Sequence, residues 1–199
     1  MAHERRFNAA MAGKLENPER LQWLPPAEVV AALSVKAAEV IADIGAGTGY
    51  FALPIARAAS PGGKVYAVDA QAEMLSLLQA KLSNGSADKI ELIRAEADAT
   101  GLPEASCDLV FMANVWHEFD DRAAVVKEAQ RILRPAGGRI GILDWRPDVE
   151  PENGPPLEHR LGPADAIEVL RAAGAAQFAS TNIGKYSWLV TGVFPDALA

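Results

Sequence analysis

A turn rich in glycine carries the first pattern in the sequence that could do chemistry. Glycine lets the backbone turn tightly and approach a ligand with no Cβ in the way, and a helix that begins after such a turn offers unpaired amides to a negative group. The turn and the carboxylate before it comprise Asp43, Gly45, Ala46, Gly47, Thr48 and Gly49. Twenty residues after Gly49, Asp69 ends the second predicted strand, and Ala70 follows it. A carboxylate at that place can accept both hydroxyls of an adenosine ribose.

Two adenosine ligands fit this pattern, NAD and S-adenosylmethionine, and the spacing of the glycines favours the second. The dinucleotide fingerprint G-x-G-x-x-G, started at Gly45, requires a glycine at position 50, where this chain has Tyr50. The Asp43 carboxylate would repel a pyrophosphate and attract the ammonium of a methionine moiety.

Short apolar runs alternate with segments of helical spacing, and these elements must position the glycine turn. Each apolar run is bounded by glycine, proline or polar residues, as strands are. The predicted strands are 39–44, 64–68, 90–93, 107–115 and 139–145. The predicted helices between them are 50–59, 72–82 and 122–133. We interpret this as strand alternating with helix five times, which requires a parallel sheet with helices on both faces.

The end of the chain predicts a different kind of strand pairing. A helix over 163–173 begins with a proline in its first turn and ends at Gly174. Two β-like runs follow, 177–183 and 186–194, and only Gly184 and Lys185 separate them, so they must pair antiparallel. Earlier in the chain, Asp120 or Asp121 is expected to cap the predicted helix 122–133. Gly137 and Gly138 are expected to turn the chain from that helix into the predicted strand 139–145.

Several motifs in one order make the sequence similar to the class I S-adenosylmethionine-dependent methyltransferases of the small-molecule kind, such as those of ubiquinone and menaquinone biosynthesis. The similarity covers about residues 39–145, and the predicted hairpin matches the family's last two strands. Its motifs are Asp43-Ile-Gly-Ala-Gly-Thr-Gly, Val68-Asp69, Met74-Leu75, Ala97-Asp98-Ala99, Leu102-Pro103, the run from Asp108 to His117, and the run from Ile132 to Arg139. Ala97 and Ala136 replace glycines that are common in the family. The resemblance implies an α/β fold: a Rossmann-like, doubly wound, seven-stranded sheet, mostly parallel with a C-terminal antiparallel hairpin.

The resemblance also implies a role for each matching residue. The three glycines would contact the methionine and ribose parts of S-adenosylmethionine, whose demethylated product is S-adenosylhomocysteine, and Asp43 would hold the amino group. Asp69 would bind the ribose hydroxyls, and Met74 would pack on the adenine, although a methionine on an apolar helix face is usually core. Asp98 and the backbone of Ala99 would meet the adenine edge, and Asn114 would lie beside the methionine end. Asp69 and Asp98 could instead be solvated loop acids.

Polar residues near the ends of the fourth and fifth strands are candidates for catalysis or substrate contact. His117 could act as a base or orient the acceptor, or it could be a loop residue, with Glu118 simply adding negative charge at a helix N-terminus. The other substrate candidates, all expected to face the same pocket, are Asp144, Trp145, His159 and Arg160. The sequence predicts no metal site, because the single Cys107 has no second thiol and no nearby histidine with ligand spacing.

Three functions from different classes fit these residues. A methyltransferase would mainly align a small acceptor with an already electrophilic methyl group and exclude water. A protein that binds S-adenosylmethionine and S-adenosylhomocysteine without transfer activity would share the same cofactor residues. A nicotinamide dehydrogenase ranks last, because of Tyr50 and Asp43.

The composition of the chain limits the classes of molecule that it can be expected to bind. The 199 residues carry 26 acidic and 19 basic side chains, a net charge of −7 with no basic stripe, which argues against nucleic acid as a partner. No apolar stretch is long enough to cross a membrane, and the first twenty residues lack the apolar core of a signal peptide. With one cysteine, a reducing cytoplasm fits. We therefore expect a soluble cytoplasmic protein, monomeric or homodimeric, that acts on a small molecule.

The length predicts one domain over 1–199, with a Rossmann-like core over 39–199. Residues 1–38 are not needed by a doubly wound sheet, and we interpret them as a helical lid with Phe7, Met11, Leu21 and Trp23 on its apolar underside. The proline-rich segment 146–162 follows the fifth strand directly, so it is expected to line a site at the carboxyl ends of the strands.

Overall fold

The computed structural model describes residues 7–82, 89–135, 137–150 and 152–195. Within these ranges, seven strands form one sheet in the order β3-β2-β1-β4-β5-β7-β6. The strands are β1 (Val40–Ile44), β2 (Lys64–Asp69), β3 (Ile90–Arg94), β4 (Leu109–Ala113), β5 (Gly138–Trp145), β6 (Ala176–Ile183) and β7 (Ser187–Phe194). The first five strands are parallel to one another, and β7 pairs antiparallel with both β5 and β6. The predicted fold class, a doubly wound sheet that ends in an antiparallel hairpin, is confirmed.

Both faces of the central strands are buried, which explains why the sequence shows continuous apolar runs there. Val110 and Met112 of β4 pack into one core, and Phe111 packs into the other. The helices that cover the sheet are α1 (Arg20–Trp23), α2 (Pro26–Ala32), α3 (Ala52–Ala58), α4 (Ala72–Lys81), α5 (Arg122–Ile132) and α6 (Pro163–Ala172). Apolar residues of α5 and α6 join the first core, and those of α2, α3 and α4 join the second.

Three details of the predicted elements are wrong. No helix joins β3 to β4, so strand and helix do not alternate five times; residues 95–108 make this connection as a loop with turns and isolated bridges. The predicted strand 107–115 is shorter, because the Asp108 carboxylate accepts a hydrogen bond from the backbone of Val40 and Asn114 takes a left-handed conformation with φ of 57°. The hairpin turn contains Tyr186 as well as the two predicted residues, because β7 begins at Ser187.

The helix ends agree well with the predicted signals. Asp121 caps α5, with its side chain accepting a hydrogen bond from the amide of Ala124 at 2.9 Å. After α5, Gly137 takes φ of 106°, whereas Gly138 already belongs to β5. Ala136, one of the two departures from the family pattern, lies outside the described residues. Gly174 has φ of 92° just after α6. No helix of the described residues is long and apolar enough to span a membrane.

The N-terminal segment, defined here as residues 7–24, lies against the core. A 3₁₀ helix, Ala9–Glu16, precedes α1, and the sequence analysis did not foresee it as a separate element. The Glu16 carboxylate accepts hydrogen bonds from the hydroxyl of Thr48 and from Lys81 Nζ, and Lys81 also donates to the Thr48 carbonyl at 2.8 Å. These contacts fix the segment to the glycine turn and to α4.

Candidate functional site

A cavity of about 970 Å³ opens at the carboxyl ends of β1, β2 and β4. The chain continues from β1 toward β2 on one side, while β4 lies on the other side of β1, so the strand order reverses at this place. Ligands bind at such a reversal in doubly wound sheets. The cavity walls include the glycine turn, the residues after β4 and the N-terminal segment.

The glycine turn is anchored to the end of β2. The amides of Gly45 and Ala46 donate to the carbonyl of Val68 at 2.8 and 3.0 Å, and the amide of Gly47 donates to Asp69 Oδ2 at 2.8 Å. A Cβ at Gly47 would have one neighbour within 4 Å, a methyl carbon of Leu15, so the backbone faces open space. The turn can therefore be approached closely by a ligand, and the Asp69 carboxylate both lines the cavity and holds the turn in shape.

Gly49 differs from the role that the resemblance implied for it, because it does not line the cavity. It takes φ of 84°, and a Cβ there would collide with the side chain of Leu78 on α4. Its structural requirement is thus close packing of the turn against α4. The other predicted members of the turn, with Asp43, do line the cavity: Gly45, Ala46, Gly47 and Thr48.

Asp43 places a buried carboxylate at the cavity wall. Its side chain is 1% exposed, and Oδ2 has no hydrogen-bond partner among the described residues. Burial, reinforced by the charge of Asp69, raises the pKa of Asp43 to about 7. A buried carboxylate oxygen without a partner is costly. A ligand ammonium group would satisfy it.

Asn114, which directly follows β4, presents a second unsatisfied group at the cavity wall. Neither its amide oxygen nor its amide nitrogen has a partner among the described residues, although its backbone amide donates to Leu143 at 2.8 Å. Together, the open glycine turn, Asp43 and Asn114 supply donors and acceptors that fit the amino-acid end of S-adenosylmethionine.

Of the residues that the resemblance assigned to the adenosine end of the cofactor, some line the cavity and one does not. Ala70, Met74 and Asp98 line the cavity; Met74 is buried and Asp98 is exposed. Ala99 does not line it, and its amide donates to the carbonyl of Glu96 at 3.2 Å. The backbone of Ala99 is thus engaged within its own loop, and a contact with an adenine edge would need that hydrogen bond to open.

His117, which lines the cavity, forms a buried pair with Asp144. His117 Nδ1 lies 2.9 and 3.0 Å from the two carboxylate oxygens of Asp144, and the backbone amide of His117 donates to Asp144 Oδ2 at 2.8 Å. A carboxylate accepts hydrogen bonds, so in the neutral imidazole Nδ1 carries the proton and Nε2 keeps its lone pair. Burial opposes a charge on His117, but the hydrogen bond and charge of Asp144 outweigh it and raise the pKa of the imidazole.

Asp144 itself does not face the cavity, contrary to expectation, because both of its oxygens are occupied by His117 and by the amide of Trp145. Glu118 does line the cavity, with Oε1 4.0 Å from His117 Nε2. Burial raises the pKa of Glu118 to about 7, with the charges of Asp144 and Asp69 adding to the shift. A histidine whose pKa is raised and a carboxyl with a pKa of about 7 thus share one wall.

Residues 152–156 and His159 form another wall, and the two predicted substrate residues of this part of the chain are placed differently. His159 is exposed and lines the cavity. Arg160 turns away, because its guanidinium is used within the loop: it donates to four backbone carbonyls, those of Pro155, Arg146, Val149 and Asn153. Trp145 lines the cavity as predicted, with its ring 5.5 Å from that of Trp23.

The N-terminal segment lines the same cavity. Phe7, Met11 and Trp23 contribute to the wall, whereas Leu21 is 56% exposed and does not belong to an apolar underside. Arg20 also lines the cavity and is only 6% exposed, and sequence analysis missed it. The residues around Arg20 in the sequence give no signal that distinguishes it from an exposed arginine on a short helix.

Comparison with known proteins agrees with the fold and with the cavity. The sequence pattern of the family described as "Methyltransferase domain" matches residues 42–140. The ubiquinone/menaquinone biosynthesis C-methyltransferase UbiE of Hahella chejuensis is 35% identical over 118 residues, 59% of this chain and 47% of that protein. A demethylmenaquinone methyltransferase of Lactobacillus johnsonii is 31% identical over 121 residues, 60% of this chain and 49% of that protein. The chain thus matches about half the length of these relatives.

A solved structure extends the similarity over nearly the whole chain. A S-adenosylmethionine-dependent methyltransferase from Aquifex aeolicus superposes with a TM-score of 0.88 at 27% identity, covering 95% of this chain and all of that one. With the glycine turn and the unsatisfied Asp43, these matches define the class: the chain belongs to the class I S-adenosylmethionine-dependent methyltransferases. The cofactor of this class is S-adenosylmethionine.

Proposed function

We propose that this chain transfers a methyl group from S-adenosylmethionine to a small aromatic acceptor that carries a dissociable proton. The observation that carries the proposal is the buried pair of His117 and Asp144 at the wall of the cofactor cavity, 2.9 Å apart. An acceptor without a proton to lose would need no such base, so the pair favours a hydroxyl group over, for example, a tertiary amine.

The lining of the cavity supports an aromatic acceptor. Aromatic side chains from several segments meet there: Phe7, Trp23, Tyr50, Phe51, Phe119 and Trp145. Flat apolar walls with a few convergent polar groups are typical of sites for small organic molecules. The names of two relatives also support an aromatic acceptor, since one is called a ubiquinone/menaquinone biosynthesis C-methyltransferase and the other a demethylmenaquinone methyltransferase. We therefore propose a phenol-type acceptor of this general class.

The chain's own residues would perform three tasks in the reaction. When bound, S-adenosylmethionine supplies an electrophilic methyl group and leaves as the neutral thioether S-adenosylhomocysteine. His117 Nε2 would take the proton of the acceptor hydroxyl, and the charge of Asp144 would stabilise the imidazolium. Glu118, 4.0 Å from Nε2, adds a second negative charge when ionised. The N-terminal segment and segment 146–162 would exclude water, so that the acceptor stays aligned with the methyl group.

Exchange of His117 for glutamine tests the proposal. The wild-type chain is expected to release S-adenosylhomocysteine when incubated with S-adenosylmethionine and a panel of phenols. His117→Gln should lower kcat about 100- to 1000-fold, while calorimetry should show S-adenosylhomocysteine affinity within about threefold of wild type, because cofactor residues are unchanged. If the histidine variant transfers methyl groups as fast as wild type, His117 is not the base.

The alternative function, binding of the cofactor without transfer, makes a different prediction. It expects S-adenosylmethionine and S-adenosylhomocysteine to bind, with no turnover for phenols, thiols or amines. Glu168→Gln, an exchange on the exposed face of α6, serves as the control for handling and folding of variants. Turnover of any member of the panel by wild type and by this control, but not by His117→Gln, would exclude the alternative.

A further inference from the structure

His117 and Glu118 present two hydrogen-bond acceptors side by side on the cavity wall. Both residues belong to the short 3₁₀ helix Trp116–Glu118, and both line the cavity. His117 Nε2 lies 4.0 Å from Glu118 Oε1, which is too far for a hydrogen bond between the two atoms. Since Nδ1 of His117 is engaged with Asp144, Nε2 is the ring nitrogen left for a ligand. A ligand with two donor groups can therefore reach both acceptors at once.

The protein fixes the position of the short helix that carries these two atoms. Trp116, directly before His117, is fully buried in the first core, and its carbonyl accepts a hydrogen bond from Arg122 Nε at 3.1 Å. The backbone amide of His117 donates to Asp144 Oδ2 at 2.8 Å. The two acceptors thus stand on a well-anchored part of the fold, as a site that selects its ligand by geometry requires.

The Glu118 carboxylate has little contact with water, since 15% of its side chain is exposed. Burial raises its pKa to about 7; the charge of His117 and a hydrogen bond with the Phe7 backbone act against this shift, and the charges of Asp144 and Asp69 add to it. A carboxylate in such surroundings is stabilised by each hydrogen bond that it accepts. A ligand donor at Oε1 therefore favours the ionised form of Glu118 and binds more tightly than a group with no hydrogen to donate.

Donors on neighbouring carbons of an aromatic ring match this arrangement. We propose that Glu118 determines which acceptor is methylated, by accepting a hydrogen bond from a hydroxyl or amino group on the ring carbon next to the hydroxyl that His117 deprotonates. Two such groups point outward from adjacent carbons, so their hydrogens diverge toward two atoms 4.0 Å apart. The inference rests on the methyl transfer and the base proposed above, and it narrows the acceptor from phenols in general to phenols with a second donor in the ortho position.

The reaction uses one of the two donors. The reacting hydroxyl gives its proton to His117 Nε2, its oxygen forms a bond to the methyl carbon, and the bond from that carbon to the sulfonium sulfur breaks. The second donor keeps its hydrogen and stays on the Glu118 carboxylate. The product has an ether oxygen in place of one donor, so it no longer satisfies both acceptors. We therefore expect catechol to be methylated once and its product, ortho-methoxyphenol, to be a poor acceptor.

Three acceptors that differ at the ortho position test the inference. Catechol and ortho-aminophenol carry a second donor, and ortho-methoxyphenol does not. For the full wild-type chain, we expect kcat/KM to be about 10- to 100-fold higher for the better of the first two than for the third, because the second donor meets a charged group. The comparison of catechol with ortho-aminophenol shows whether a hydroxyl or an amino group is preferred.

Exchanges at Glu118 should remove this preference. In Glu118→Ala the ratio of the kcat/KM values should fall to within about threefold of one, and Glu118→Gln, which keeps an amide oxygen, should give an intermediate ratio. Asp120→Asn is the matched control, because Asp120 is an exposed carboxylate that lines the same cavity. Its ratio should stay within about twofold of wild type, since solvent screens an exposed charge.

The ratio separates a contact with the acceptor from other roles of Glu118. A loss of activity in Glu118→Ala that is common to all three acceptors, with an unchanged ratio, would mean that Glu118 acts only on His117 or on the fold, and it would overturn the inference. Equal kcat/KM values in wild type, or the same fall of the ratio in Asp120→Asn, would overturn it as well.

A binding measurement distinguishes failure of this inference from failure of the proposed function. Absence of transfer to all three acceptors would contradict the proposed function. Calorimetry on the chain saturated with S-adenosylhomocysteine then tests the inference separately. Tighter binding of catechol than of ortho-methoxyphenol by wild type but not by Glu118→Ala would support it, and equal affinities in wild type would overturn it.

Discussion

Single residues at the cavity wall are held in states that the folded chain alone does not favour. Asp43 is buried with an unpartnered oxygen and a pKa of about 7, and Arg20 is buried with an unpartnered Nε. Each of these buried charges lowers the stability of the fold when no ligand is bound, and each contributes to binding when the ligand supplies the opposite charge. Such residues commonly mark a binding site.

Exchange of Asp43 for asparagine should have opposite effects on the stability of the fold and on the affinity for the cofactor. The pKa of this carboxyl is higher in the folded chain, about 7, than its ordinary value of 3.8, so the folded state loses stability as the pH rises through this window. Asp43→Asn should therefore raise the free energy of unfolding by roughly 1–3 kcal/mol at pH 8 and by much less at pH 4. Urea titrations at the two pH values measure the difference, and Glu168→Gln is the control.

Asp43→Asn should also bind the cofactor product more weakly than wild type does. We expect S-adenosylhomocysteine to bind Asp43→Asn at least about tenfold more weakly, because the ammonium group loses its charged partner. A variant that is both less stable than wild type at pH 8 and equally good at binding would show that Asp43 is a structural acid.

The pH dependence of turnover follows from the direction of the shift at His117. The base must be neutral to accept a proton, and contact with Asp144 raises the pKa of His117 above its ordinary value of 6.5, against the effect of burial. Turnover of a phenol should therefore rise with pH through a midpoint above 6.5 and level off at higher pH. Steady-state rates at saturating substrate provide the profile. A rate that is flat from pH 6 to 9 would contradict general-base catalysis by this residue.

At the scale of elements, the glycine turn, α4 and the N-terminal segment form one connected unit. Gly49 packs against Leu78 of α4, Lys81 at the end of α4 donates to Glu16, and Glu16 accepts from Thr48 of the turn. The Gln71 side chain also donates to the carbonyl of Phe7 at 3.0 Å. The N-terminal segment thus depends on the same elements that shape the cofactor site, which supports the proposal that it acts as a lid.

Truncation tests this lid. A chain without residues 1–16 loses Phe7, Met11, Leu15 and Glu16 but keeps Arg20 and the buried Leu24. We expect it to fold, because the sheet and both cores are intact, and to bind S-adenosylhomocysteine about tenfold or more weakly with reduced turnover, because water enters the cavity. Circular dichroism checks the fold and calorimetry the affinity. Unchanged affinity and unchanged turnover would rule out a lid in this segment.

At the scale of the whole molecule, the sheet brings together residues that are far apart in the sequence. The reversal of strand order between β1 and β4 puts the glycine turn, Asp69 and Asn114 around one cavity. The sequence was sufficient to predict that these residues meet, because apolar runs indicate the strands and alternating glycines indicate the turn. It also placed His117 and Trp145 at strand ends that face the cavity.

Other features depend on contacts that no local pattern encodes. Asp144 lies near the end of β5 and Arg160 in the loop after it, as expected, but their hydrogen-bond partners determine where the side chains point. Asp144 points toward His117, and Arg160 points toward four carbonyls of its own loop. The burial of Arg20 depends on Tyr50, thirty positions away. The loop between β3 and β4 was mistaken for part of a regular alternation, although the sequence predicted no helix for it.

Titration of the full chain with S-adenosylhomocysteine in a calorimeter is the most direct test that this cavity is a cofactor site. We predict saturable binding with one site per chain, with proton release near pH 7, because a ligand ammonium lowers the raised pKa of Asp43. NAD in the same cell should produce no comparable heat. Saturable binding of NAD with none of S-adenosylhomocysteine would contradict the assignment of this cavity to S-adenosylmethionine.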